Sequence, residues 1–582
     1  MAEPLSEPLD FARQDLHRAV TVALSRDGHL LTAGEHRIAR RFLALPEEAA
    51  SLYARLHARR PLAFRIDQLD YAEITDLKQA VQVLLDAGLI FDDRLLPRRI
   101  FLELRTVAEL KALCRANRLK VSGRREAVLE RLMDADLDRA GLRLPTLMLR
   151  HQALFRRLCR LFLYDHSGDL SRLVIARLGH LQFPPYTPTG GIGLFPRRRE
   201  LLGYERALHR RWTASAEEAV LDLPGLVAEV EFWPMPADHR YRFSARRFAV
   251  ELALTAAREL ERAKQQDVAA VVYRRLLDAG LREPGPASRR LALCLEGLKR
   301  PGEAAAVCAT AMEKAQPAEA LALERTGRRL ARKARIGWRP RPPLKKPPTR
   351  QFTLPAAKMG GNRLGYRTPN GAAAVEAALC RALRLAGRTA FFGEAAPWST
   401  LFGLLCYDAL FAPVPGMLPT KMMHRPLDLG APGFRQRRGR WLTPILAQIA
   451  AGDAQKMLIA RLPELEGMVI AGVRWDRFTP AQLVTLAGAI DGASLAGVLR
   501  SFAEDWRGAN RGLPDLCVLP GPAVRLDNAA PATIPEGLIL AEVKGPTDAL
   551  RDPQRVWLDR LLRFGVRAEL WKVKREVPPS GT

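Results

Sequence analysis

Three charged residues near the C-terminus stand where hydrolytic chemistry would need them. Pro514-Asp515, in RGLPDLCV, precedes Glu542-Val543-Lys544, in GLILAEVKGP. LILAEVK reads as a strand of branched and apolar residues. Side chains alternate along a strand, so Glu542 and Lys544 share one face and Val543 points into the core. Asp515, at the start of another strand, can converge with Glu542 on one hard divalent cation. Such an ion prefers carboxylate oxygens and keeps positions open for water and a phosphate oxygen. The Val543 carbonyl can turn toward the same ion. Lys544 stands where it can orient an attacking water or neutralise charge developing on a phosphate. The chemistry open to this set is metal-assisted phosphodiester hydrolysis.

The acidic-x-Lys triplet alone is weak evidence. It occurs at Asp76/Lys78, Glu109/Lys111 and Glu542/Lys544, against about 1.6 occurrences expected from composition. The first two lie in helical patterns, where i and i+2 do not share a face. Only the third lies on a strand with a Pro-Asp strand upstream. Its plain alternative is an exposed strand carrying a surface ion pair.

Positioning these groups requires strand, long turn, strand, helix, strand. RVWLDRLLRFG supplies an amphipathic helix stopped by Gly565, and VRAELWKVK supplies the closing strand. Upstream, AAAVEAALCRALRLAG reads as a helix ending at Gly387. FFGEAAPWSTLFGLL places Glu394 just before an apolar helix.

Composition narrows the substrate. The 582 residues carry 91 Lys+Arg against 63 Asp+Glu, a net charge of +28, and only 15 of the basic residues are Lys. Arg forks onto phosphate oxygens as Lys cannot, and so large an excess fits a polyanion, most simply nucleic acid. Arg-rich codon usage in a GC-rich genome is the plain alternative. At 48% hydrophobic and 26% charged the chain is globular in composition, which excludes wholesale disorder. No apolar run reaches the roughly 18 residues of a membrane span, and the N-terminus has no secretory apolar region. The 7 Cys are scattered without a CxxC pair, which disfavours a zinc ribbon and suits buried thiols in a reducing cytoplasm.

The chain divides by pattern. Residues 1–100 read as a helical N-terminal region, and 101–245 as a DNA-binding region. Within the latter, LELRTVAELKALCRANRLKVSGRREAVLERL opens on a Thr106/Glu109 capping box. Val107, Leu110 and Cys114 form one apolar face; a second helix carries Ala127, Val128, Leu129 and Leu132. The unit resembles a SAP motif. Arg124 and Arg125, at the start of its second helix, can meet phosphates together with backbone N–H groups. The alternative is a plain helical hairpin with solvated arginines. After the loop FPPYTPTGGIGLF, taken as flexible and carrying Tyr186, the stretch PRRRELLGYERALHRRW adds Arg197, Arg198, Arg199, Arg206, Arg210 and Arg211, a DNA-contact segment or a solvated face. Residues 246–336 read as a TPR-like array of helical hairpins. A Pro-rich basic linker at 337–350 marks a boundary, and 351–582 hold the nuclease-type signature.

The signature is that of PD-(D/E)xK nucleases. More specifically, AEVKGPTDALRDPQRVWLDRLLRFGVRAELWKV resembles the VRR-NUC domain. FFGEAAPWSTLFGLLCYDALF, VRWDRFT (473–479), LFLYDHSGDLSRLVIARLG and RRRELLGYERAL are similar to stretches of the Fanconi-associated nuclease family. So is the order of SAP-like unit, helical array and VRR-NUC. The resemblance is to a bacterial member. It implies a multidomain, mostly α protein with a C-terminal α/β nuclease domain. Metal ligands would be Glu394, Asp515, Glu542 and the Val543 carbonyl, with Lys544 catalytic and Gln554 supporting. Glu376 reads as structural. The insert GPAVRLDNAAPATIPEG lengthens the gap between Asp515 and Glu542, as a loop that spares both strands.

The resemblance further implies a structure-specific endonuclease and 5′–3′ exonuclease that cuts near 5′ flaps or 5′ ends in crosslink repair. It would use one or two Mg²⁺ or Mn²⁺ ions on branched or flapped double-stranded DNA, in the cytoplasm at the nucleoid. The family's ubiquitin-binding zinc finger has no counterpart here. Rival readings are a resolvase- or restriction-type nuclease, a non-catalytic DNA-binding scaffold and an RNA-binding adaptor.

Overall fold

A computed structural model describes residues 10–576, apart from 60–62, 92, 138–141, 178, 180, 191–192, 214, 233–239, 282–283, 360–362, 432 and 527–532. Two compact units emerge: residues 1–182 with 191–202, and residues 183–190 with 203–582. The division runs through the 101–245 segment and sets the array and the nuclease-type sheet in one unit.

The first unit is helical, with a short antiparallel pair, β1 (Ala63–Arg65) and β2 (Thr146–Met148). Its SAP-like hairpin comprises Val107–Ala116 and Arg125–Asp134. The capping box forms: Glu109 N–H donates to Thr106 Oγ1 at 3.3 Å, and Thr106 N–H donates to the Glu109 carboxylate at 2.7 Å. Leu110, Cys114, Val128, Leu129 and Leu132 close a core with Leu102 and Leu142. Val107, expected inside, is 41% exposed. It occupies the first helical position, beside the cap, where the chain is still entering the hairpin.

In the second unit the array forms from five helices: Arg240–Arg262, Gln266–Asp278, Gly285–Gly297, Pro301–Lys314 and Pro317–Ala334. Their shared core is largely Ala and Leu. Small side chains at the crossings let helices approach closely, which is what an Ala-rich array requires. The Pro-rich segment that follows has no regular structure, but it is a docked strap. Trp338 lies where Gly327 leaves room, since a Cβ there would come within 2.0 Å of the indole. Farther on, Lys345 N–H donates to Asp559 at 2.7 Å. Tyr186, from the loop read as flexible, is likewise fixed: its hydroxyl donates to the Thr420 carbonyl and accepts from Met423 N–H at 2.7 Å.

The nuclease-type sheet has seven strands in the order β5-β4-β3-β11-β10-β7-β6. They are β3 (Thr349–Met359), β4 (Arg363–Thr368), β5 (Gly371–Ala373), β6 (Ala390–Phe392), β7 (Leu516–Val518), β10 (Ile539–Lys544) and β11 (Ala568–Glu576). β10 runs parallel to β11, joined by the helix Asp552–Arg563. Parallel neighbours need such a crossover. β7 pairs antiparallel with both β10 and β6. Within the insert, β8 (Val524–Arg525) and β9 (Thr533–Ile534) make a small hairpin, with 527–532 outside the described residues. Buried Arg388 holds the insert's ends back by donating to the carbonyls of Leu519, Pro522, Pro535 and Gly537 at 2.8–3.1 Å. β7 and β10 therefore remain paired despite the long gap. No single helix among the described residues is long and apolar enough to cross a membrane.

Candidate active site and nucleic-acid contacts

The site lies where β7, β10 and the turn after β6 meet. Along β10, Ala541 and Val543 enter the core with Val375, Leu379 and Leu383 of the helix Val375–Leu385. Glu542 faces the other way and is 0% exposed. Its Oε1 accepts from Lys544 Nζ at 2.6 Å, and its Oε2 is buried without a partner. Burial and the neighbouring Asp515 carboxylate push Glu542 up to about 8, against the pull of Lys544. Asp515 Oδ2 accepts the Val543 N–H at 2.8 Å, so aspartate and strand are tied directly.

Glu394 comes to the same place from β6. Gly393 N–H and Glu394 N–H donate to the carbonyls of Asp515 and Pro514, both at 2.7 Å. A Cβ at Gly393 would lie 2.8 Å from the Pro514 carbonyl, so only glycine permits the approach. Glu394 itself has φ +43°, a left-handed conformation that costs a glutamate on the order of 1 kcal/mol. It lines one cleft of about 560 Å³ with Asp515, Gln554, Arg474, Arg477 and Arg551. Gln554 Oε1 accepts Arg551 N–H at 2.9 Å and so caps the helix start at the cleft wall. Glu376 is half-buried on its helix near Tyr366 and does not line this cleft.

The carboxylates form a poised set and not a closed cage. Among the described residues no three His, Cys, Asp or Glu side chains are gathered tightly enough to hold a metal ion. Lys544 occupies one oxygen of Glu542, and the Val543 N–H occupies one oxygen of Asp515. The orphaned Glu542 Oε2 and the all-oxygen donor set nevertheless suit a hard divalent cation.

Arg474, Arg477 and Arg551 were not singled out as site residues from the sequence. Arg474 pairs with Asp476 at 2.7 Å, and its N–H donates to Thr400 Oγ1 at 3.2 Å. Ser399 and Thr400 therefore fasten the Arg-bearing loop to the helix that follows Glu394. The VRWDRFT stretch carried this signal.

The proposed DNA contacts separate. Arg124 is exposed at the cap of its helix, with Arg118 and Lys120 exposed on the adjoining turn. Arg125 instead donates to the carbonyls of Glu103 and Arg105. In the Arg-rich stretch, Arg197 and Arg199 are exposed. Arg198 is bound to Glu35 at 2.5 Å and to the Leu30 carbonyl at 2.7 Å. Arg206 pairs with Glu229 at 3.4 Å, and Arg211 with Glu251 at 2.7 Å.

Comparison with known proteins gives three family matches: the VRR-NUC domain at residues 449–575, the "FAN1, HTH domain" at 13–91 and the SAP domain at 101–137. A Fanconi-associated nuclease 1 homolog of Arabidopsis thaliana is 27% identical, over 94% of this chain and 65% of the relative. The chain thus spans slightly less than two thirds of that relative. A Fanconi-associated nuclease 1 homolog of Pseudomonas aeruginosa is 28% identical, over 92% of this chain and 90% of the relative. A crystal structure of paFAN1 bound to 2nt 5′flap DNA with gap superposes with a TM-score of 0.81 at 25% identity, covering 99% of this chain and all of that one.

Proposed function

We propose that this chain is a member of the Fanconi-associated nuclease family and a structure-specific DNA nuclease that cuts near 5′ flaps and 5′ ends. Crosslink unhooking would be its repair role. One observation carries the catalytic reading: Glu542, buried in β10 with an unpartnered oxygen, sits against Asp515 and Lys544 beside a cleft lined by arginines.

Glu542, Asp515 and Glu394 would hold one or two Mg²⁺ or Mn²⁺ ions, with the Val543 carbonyl as a fourth donor. When bound, such an ion would polarise the scissile phosphate and lower the pKa of an attacking water. The protein's own groups do the rest. Lys544, freed from Glu542, would orient the water or neutralise phosphate charge. Arg474 and Arg477 would grip the phosphate next to the scissile one, where charged donors form the strongest hydrogen bonds. Gln554 would keep the start of its helix fixed at the cleft wall. The SAP-like turn with Arg124, and Arg197 and Arg199, would hold duplex through phosphates without reading sequence. The place of work would be the nucleoid.

The test is cleavage of an end-labelled 5′-flap duplex by the full chain with Mg²⁺ or Mn²⁺, beside EDTA and Asp515→Ala. Cutting near the junction that needs both metal and Asp515 is expected. Binding without cutting in either metal would make the protein a scaffold.

A further inference from the structure

A groove leaves the candidate cleft, and nothing so far gives it an occupant. Arg551, on the cleft wall, also lines a second hollow of about 470 Å³ with Arg325, Leu550, Asp552 and Arg555. That hollow in turn shares Arg325, Leu550 and Arg555 with a cavity of about 570 Å³, which lies between the last array helix, the Pro-rich strap and the helix Asp552–Arg563. The three form one path. It starts at the carboxylates, passes over the start of that helix and ends against the array.

The path is cationic along its length. Arg325, Arg328, Lys345, Lys346 and Arg555 follow Arg551. Two carboxylates also line it, Asp552 in a two-pronged pair with Arg325 at 2.6 and 2.7 Å and Glu324 paired with Arg328 at 3.0 Å, so the excess positive charge is that of Arg551, Lys345, Lys346 and Arg555. Arg325 and Arg328 stay more than half exposed. The floor is aliphatic, with Leu321, Leu550 and Leu570, and among the described residues no aromatic ring lines it.

We infer that this groove binds a single strand of the DNA, continuing from the candidate cleft toward the array. The inference rests on the nuclease reading of that cleft. A strand fits because the cations are spread along a path and not gathered at one point, and because the path begins where a phosphate must lie for hydrolysis. An electropositive track that follows a backbone is how single strands are held without sequence preference. An aliphatic floor accepts sugars and base edges but offers little stacking, so binding here is mainly electrostatic and independent of base.

The experiment measures affinity of the full chain without divalent metal, by anisotropy, for a gapped duplex bearing a single-stranded tail of about 10 nucleotides and for the same duplex untailed. Arg328→Glu/Lys346→Glu is compared with Lys456→Glu, an exposed cation elsewhere. The double variant is expected to lose at least about tenfold in affinity for tailed DNA beyond any loss on untailed DNA, and to lower the salt slope by about 1.4 on tailed DNA alone. Lys456→Glu is expected to show no such difference. A photoreactive base in the tail should crosslink to the peptide holding residues 343–347 or to that holding Arg555.

Equal losses on both DNAs, or crosslinks confined to other peptides, would overturn the inference. So would an acidic peptide that seats in the groove and leaves tailed-DNA binding untouched. Because the readout is binding, failure of the nuclease reading would show separately, as absence of metal-dependent cutting.

Discussion

Two buried glutamates lie on adjacent strands of one sheet and are treated in opposite ways. Glu542 on β10 and Glu569 on β11 are both 0% exposed. Glu569 accepts from Arg350, Arg567 and Trp571 Nε1 at 2.5–3.1 Å. Burial alone would raise its pKa, but these donors outweigh it and hold the carboxyl below its ordinary value. Glu542 has one lysine, a like-charged neighbour and an orphaned oxygen, and its pKa rises. A buried charge satisfied on all sides serves the fold. One left short of partners is costly, and it persists where an incoming group completes it.

The sharpest way to break this comparison is Glu542→Gln. Loss of an outer-shell partner alone costs about 10 to 100-fold at metal sites, so loss of this carboxylate should reduce flap cleavage by more than about 100-fold. The same change replaces a buried carboxyl whose pKa is raised to about 8 on folding, and which therefore costs stability above its unfolded value of 4.5, with a neutral amide. In EDTA the variant should therefore unfold at a higher denaturant midpoint than wild type, by about 1 kcal/mol or more. A variant that is both inactive and less stable would make Glu542 a structural group like its neighbour.

Glu569→Ala should do the reverse. It strands Arg350 against the sheet and removes the acceptor of Trp571, for a loss of about 3 kcal/mol, the lower end for a broken buried pair because Arg567 is 44% exposed. At temperatures where the variant is folded, cleavage per folded molecule should stay within a few-fold of wild type. A stability-corrected rate separates the two glutamates.

The same contrast explains what could be read from the sequence. Asp515, Glu542 and Lys544 were legible because strand alternation and a fixed motif leave few ways to arrange them. Glu394 was legible by its stretch, and the array by its Ala-rich helical periodicity. The hairpin β3–β5 was not. The run of prolines up to Pro348 read as a connector through residue 350, yet β3 begins at Thr349, and Pro355 within it sits at the last rung of β3–β11, where a missing N–H costs least. The arginines were least legible. Arg197, Arg198 and Arg199 are consecutive, but only the fold decides that Arg198 meets Glu35. Arg388 was not singled out from the sequence, although it is buried and holds four carbonyls. Partner choice among surface-type cations depends on contacts far apart in the chain, which local pattern does not carry.

Arg198 and Arg124 extend the comparison to the surface. Arg124→Ala should weaken binding of any duplex several-fold and reduce the salt slope by about 0.9, with little effect on stability. Arg198→Ala should leave that slope unchanged and cost about 1 kcal/mol, since its carboxylate partner is only partly shielded from water.

The smallest effect is in acid. Burial would raise the pKa of Glu35, but the Arg198 hydrogen bond, Thr32 and Arg157 overcome it and hold the carboxyl at about 2. A carboxylate depressed in the folded state adds stability that is complete above its unfolded value of 4.5 and is lost as pH falls toward 2. Wild type should therefore lose stability through that window faster than Arg198→Ala, and the two denaturant midpoints should converge near pH 2. Curves that stay parallel would mean that Arg198 does not hold Glu35 in solution. Arg198 would then stand beside Arg197 and Arg199 as a proposed phosphate contact, and the proposed division between structural and DNA-facing arginines would have to be redrawn.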